Sequence, residues 1–129
     1  MIARIVPQFF TVDIDASLRY YRDRLGFATQ FTHGEPPFYA GAIRDDQSIF
    51  FRRVDCPLPQ SADKFAEEYL DAYLRVEGIV ELFAEYQANG VVFTRPLGQM
   101  PWDFTEFVVR DCDDRLLCFG QATADVTKA

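Results

Sequence analysis

The chain is poor in histidine, in basic charge and in paired cysteine. His33 is the single histidine among 129 residues, which argues against a metal centre built on several imidazoles. Cys56, Cys112 and Cys118 form no C-x-x-C pair. An odd number of cysteines without regular spacing suggests neither a zinc module nor a disulfide framework. They are expected as reduced thiols in a cytoplasmic protein. Lysine and arginine total 13 against 20 acidic residues, a net charge of −7, so the basic patch that nucleic acid or an anionic membrane would need is missing. No segment approaches the ~20 apolar residues of a membrane helix. The opening "MIARIVPQFF" has no basic region followed by a long apolar run, so no signal peptide is expected.

What is plentiful is aromatic surface. Aromatics make up 16% of the chain and 13 residues are phenylalanine. Such a surplus fills a core or lines an apolar pocket. With 49% hydrophobic and 26% charged residues, the composition is that of one globular domain over 1–129. The acidic balance leaves room for a neutral or cationic small molecule.

Hydrophobic periodicity and turn chemistry organise the chain. "RIVPQFFTV" (4–12) reads as a strand, with Pro7 marking an edge or an interruption. A helix follows, capped by Asp13 or Asp15, with Leu18, Tyr21 and Leu25 on one face and Gly26 as its stop. Strand 27–33, a "GEPP" loop and a hairpin over 38–54, turning near Asp45–Asp46, complete a first half at about 1–55. Residues 56–68 read as a linker, extended at its prolines, with "ADKFAEEY" as a helical turn. The pattern then recurs over about 69–122. There is a strand at 69–78, a helix at 79–90 with Val80, Phe83 and Tyr86 on one face, and the strand "VVFTRPL". A "GQMPWD" loop and a hairpin around "DCDD" follow. The tail 123–129 is polar and expected to fray. The expected fold is therefore α+β, two βαβββ repeats in which Gly26 aligns with Gly90. Each half is a small curved sheet with a helix on one face, and the other face must be covered by a partner or a ligand.

The stretches "VPQFFTVDIDASLRYYRDRLGF" (6–27) and "PWDFTEFVVRDCDDRLLCFG" (101–120) resemble the opening strand-helix and closing hairpin of the vicinal oxygen chelate superfamily. Its members include glyoxalase I, extradiol dioxygenases, fosfomycin resistance enzymes and bleomycin-resistance proteins. The family's D-P-D-G-N turn is here Asp111-Cys112-Asp113-Asp114-Arg115, without proline or glycine. Asp114 is expected in the left-handed position that glycine would hold. Catalytic members hold a divalent metal on the inner sheet face. The resemblance places those ligands at Val6, about Phe50, about Asp71, and Cys118. Valine and phenylalanine cannot bind a metal, and two remaining ligands make a poor site. Neither a metal nor another cofactor is therefore expected.

Strand alternation then fills the inner face. Gln8 and Phe10 share the side of Val6, and Ser48 and Arg52 that of Phe50. Tyr73 and Arg75 share the side of Asp71, and Tyr39 and Gly41 supply the first hairpin. Cys118 is expected opposite about Phe107, with Thr105 and Val109 beside it. The resemblance is strongest to the bleomycin-resistance branch, through the V-P opening and the P-W motif before the E-F strand. It implies a homodimer that sequesters an aromatic antibiotic in clefts between subunits. Trp102 falls where a stacking ring is implied, with Phe38 or Tyr39 as the opposite wall. Phe10 and Phe107 would add apolar wall, and Arg52, Arg75 and Asp71 would orient polar groups. Structural readings stand beside these: Trp102 as a pin for its loop, and Asp71 as the partner of a nearby arginine. The alternative function is a degenerate or metal-dependent lyase, isomerase or dioxygenase; a third reading is a scaffold without a ligand.

Overall fold

The computed structural model describes residues 1–126; the last three residues of the expected frayed tail lie outside this range. The chain divides into two compact units, Met1–Gln60 and a second beginning at Ser61. Among the described residues no helix is long and apolar enough to cross a membrane.

The first unit orders its strands β1-β4-β3-β2, with β1 Gln8–Thr11, β2 Ala28–His33, β3 Tyr39–Arg44 and β4 Gln47–Arg53. Strand β1 is shorter than expected: Pro7, which lacks an N–H, lies just outside it and offers its carbonyl to Phe50 N–H at 2.9 Å. Helix α1, Ile14–Asp23, is capped by Asp13, whose carboxylate accepts from Ala16 N–H at 3.0 Å. This satisfies one of the amides a helix start leaves unpaired. Its Tyr21 packs edge-on to Phe51 of β4 at 5.0 Å. Gly26 follows in the left-handed region at φ 77°. The β3–β4 turn has Asp45 and Asp46 at φ 51° and 65°, consistent with the two-residue hairpin geometry that follows strand twist. Phe9, Ile49, Phe51, Ala40 and Ala42 are buried between sheet and helix.

The second unit repeats the plan in the order β5-β8-β7-β6. Its strands are β5 Ala72–Arg75, β6 Val92–Gln99, β7 Phe104–Arg110 and β8 Leu116–Ala122. In each unit the first strand runs parallel to the last, and the others pair antiparallel. Helix α2, Ile79–Ala88, starts at Gly78 without a side-chain cap of its own; Gln121 accepts from Ile79 N–H instead, at 3.1 Å. Its packed face is Ile79, Phe83 and Tyr86, whereas Val80, expected among them, is exposed. Phe83 and Tyr86 meet Phe107 and Phe119, whose rings stack at 5.1 Å. Residues 62–68 form turns, within which Glu67 N–H bonds Asp63 O at 2.8 Å, the spacing of one helical turn.

The β7–β8 turn holds without proline or glycine. Asp111 accepts from the amides of Asp113 and Arg115 at 2.8 and 2.9 Å and from the Arg115 guanidinium at 2.8 Å. Asp114 takes the left-handed position at φ 61°. The buried Asp111–Arg115 pair thus supplies in side-chain bonds what the missing residues would supply in backbone bias.

Candidate ligand-binding site

Register fixes which side chains share a face. In the first unit Gln8 pairs with Phe50, Phe10 with Arg52, Tyr39 with Arg52 and Gly41 with Phe50. These residues line the sheet face opposite α1, as alternation anticipates. Gln8 accepts from Tyr39 Oη at 2.9 Å. Phe31, missed in the sequence, pairs with Gly41 and lies over it: a Cβ at Gly41 would collide with the Phe31 ring. Its ring meets those of Phe50 and Tyr39 at 5.3 and 5.6 Å. His33 ends β2, exposed, beside Phe31. Phe38 is exposed in the loop before β3 and packs against Gly34.

In the second unit the face away from α2 carries Tyr73, Arg75, Phe104, Glu106, Val108 and Cys118. Cys118 pairs with Val108 and Tyr73, while Phe107 pairs with Phe119. The expected Cys118–Phe107 pairing is off by one residue, which turns β7 over. Phe107 is fully buried against α2, with Thr105 and Val109 on that same side. It is a core residue, and the wall role expected of it is withdrawn.

Asp71 also differs from expectation. It sits just before β5, and its Oδ2 accepts from Lys64 Nζ at 2.6 Å and from Leu116 N–H at 2.9 Å. Lysine rather than arginine is its partner, and the bond ties the linker to β8.

Tyr73, Arg75, Trp102, Phe104 and Glu106 line an open depression of about 410 Å³. Trp102 projects from the turn that joins β6 to β7, where Asp103 adopts φ 64° and Met100 N–H bonds Phe104 O at 2.7 Å. The Trp102 residue is 56% exposed, yet its indole N–H donates to Glu106 Oε2 at 3.0 Å. The two readings of the tryptophan are therefore compatible, since one edge is pinned while much of the ring remains open. Opposite it, the Arg75 guanidinium lies 4.7 Å above the Phe104 ring, a cation–π pair.

Glu106 was not anticipated, although a carboxylate inside the apolar run "FTEFVV" is a legible signal, since a charge is seldom buried without partners. Tyr73 Oη donates to it at 2.6 Å and Arg95 Nη2 at 3.2 Å; Arg95 also pairs with Glu68 at 2.9 Å. Burial acts to raise the Glu106 pKa, but the bonds from Tyr73, Trp102 and Arg95 outweigh it, leaving the carboxyl below its ordinary value. The Tyr73 phenol is pushed up by burial and by its bond to Glu106. Burial, then the Glu106 charge, lifts the Cys118 thiol to about 12.

The family's metal positions can be tested on this chemistry. Val6 and Phe50 offer no donor atom, Asp71 is committed to Lys64 and Leu116, and the buried Cys118 is left as a single donor. Among the described residues no three His, Cys, Asp or Glu side chains are grouped to hold an ion. These residues do not fit a divalent metal.

Comparison with known proteins agrees with this architecture. The family model for the Glyoxalase/Bleomycin resistance protein/Dioxygenase superfamily matches residues 2–119. The chain belongs to that superfamily. A bleomycin resistance protein of Geobacillus stearothermophilus is 29% identical over 126 residues, covering 90% of this chain and 94% of the relative. Among solved structures, the bleomycin resistance determinant encoded on transposon Tn5 superposes with a TM-score of 0.74 at 20% identity, over 93% of this chain and 98% of the other. The bleomycin-binding protein of Streptomyces verticillus, solved with copper(II)-bleomycin, gives 0.68 at 24% identity, over 92% and 97%. At these identities the two structures establish a shared fold.

Proposed function

We propose that this chain binds an aromatic, antibiotic-like small molecule and sequesters it without converting it. The observation that carries this reading is the half-open ring of Trp102 beside Tyr73 and the Arg75–Phe104 pair. A flat guest stacked there would gain about 0.5–1.5 kcal/mol per ring beyond area burial. Two of the family positions that hold a catalytic metal elsewhere, Val6 and Phe50, offer no donor atom, and a third, Asp71, is tied to Lys64, which favours binding over metal-assisted chemistry. The resistance proteins among the relatives make an antibiotic the natural class of guest.

Homodimerisation belongs to the same reading. Each unit leaves one sheet face uncovered by its own helix, and the aromatic face of Phe31, Tyr39 and Phe50 suits a partner or a guest. The net charge of −7 would draw a cationic guest. Trp102 is the sole tryptophan, so its fluorescence reports the site directly. Titration with metal-free bleomycin should quench it saturably, and mass spectrometry should recover the compound unaltered. A chemically changed product, or no quenching by bleomycin or by a panel of flat aromatic antibiotics, would contradict the proposal.

A further inference from the structure

Burying a carboxylate is costly unless its oxygens are satisfied. Glu106 is 2% exposed and both oxygens are taken: Oε1 by Arg95 at 3.2 Å, Oε2 by Tyr73 at 2.6 Å and Trp102 at 3.0 Å. Arg95 is itself gripped by Glu68 through two bonds, at 2.9 and 3.3 Å. The space for this cluster comes from Gly120, which lies opposite Glu106 in register. A Cβ there would collide with the Tyr73 phenol. Gly120 is not among the positive-φ glycines, so it is needed for room and not for backbone freedom.

Of the three donors to the carboxylate, Tyr73 and Arg95 stand on strands, while Trp102 stands on a turn. An indole N–H can only donate and an ionised carboxylate can only accept, so this bond has one polarity. A ring that is more than half exposed would otherwise be free to change rotamer.

We propose that Glu106 is a positioning residue, which holds the Trp102 indole in one orientation before a guest arrives, and that Tyr73, Arg95 and Gly120 hold Glu106 in turn. Fixing a contact residue in advance removes an ordering cost from binding. For its affinity arm alone this inference rests on the binding role proposed above.

The test uses the full chain labelled with nitrogen-15, in which Trp102 gives the sole indole N–H resonance. In the unsubstituted protein that proton should exchange with solvent at least about tenfold more slowly than that of a free indole. Glu106→Leu should abolish the protection and weaken metal-free bleomycin binding about tenfold. Glu106→Gln, whose amide oxygen still accepts, should restore part of both. If Glu106→Leu fails to fold, Glu106→Gln compared with the unsubstituted protein decides. An unprotected indole proton in the unsubstituted protein, or an indole resonance unmoved in a folded variant, overturns the assignment. If the unsubstituted protein binds no bleomycin, the proposed guest class fails, while the indole signal still supports or overturns the role of Glu106.

Discussion

Phe107 and Trp102 are five residues apart and meet opposite surroundings. Phe107 is enclosed by Phe83, Phe93, Tyr86 and Phe119, so Phe107→Ala should cost about 3–5 kcal/mol in urea unfolding. Trp102→Ala removes an exposed ring and one donor to Glu106, so its cost should be smaller, roughly 1–2 kcal/mol, while bleomycin affinity falls. Equal losses of stability would show that Trp102 is a core residue after all. Glu106 also predicts a pH dependence. The groups facing it are Tyr73 and Arg75 on β5, Arg95 on β6, Val108 and Cys118 on β7 and β8, Trp102, and Glu68 behind Arg95. A folded carboxyl pKa below the unfolded value stabilises the protein above the ordinary carboxyl range, and that gain is lost as pH falls through the lower folded value. The urea midpoint should therefore drop as pH falls below the ordinary glutamate value of about 4.3, and Glu106→Gln should flatten that drop relative to the parent.

At the scale of elements, the two helices begin differently. Helix α1 carries its own cap in Asp13, so Asp13→Ala should cost about 1 kcal/mol, with faster amide exchange confined to the first turn of α1. Helix α2 borrows Gln121 from β8, so its start should loosen in Gln121→Ala instead. The duplicated βαβββ plan was legible because it is punctuated: Gly26 and Gly90 stop the helices, and the acidic turns at 45–46 and 111–114 close the hairpins. Faces in the first unit were legible too, since Gln8, Ser48 and Arg52 are polar marks with a period of two. The last hairpin offers fewer such marks. "FVV" and "LLCF" are apolar on both faces, so nothing local distinguishes Val108 from Phe107 opposite Cys118, and a slip of one residue exchanged the two faces. Glu106 is the polar mark that sets this register. Once it is placed with Tyr73 and Trp102, Phe107 must point to α2.

For the whole molecule, the acidic excess gives a separable electrostatic prediction. If the guest is cationic, its affinity should fall as salt rises from low to physiological ionic strength, and a neutral aromatic analogue should show little change. Sedimentation at micromolar concentration should give twice the chain mass if the aromatic sheet face of the first unit serves a dimer. The central claim is that the Trp102 depression binds a guest and leaves it intact. Isothermal titration of the parent and of Trp102→Ala with metal-free bleomycin tests it most directly, with the compound recovered and weighed by mass spectrometry afterwards. The account predicts saturable binding by the parent, at least about tenfold weaker binding by the variant, and unchanged compound from both. Equal affinity in the two proteins, or a converted product, would contradict it.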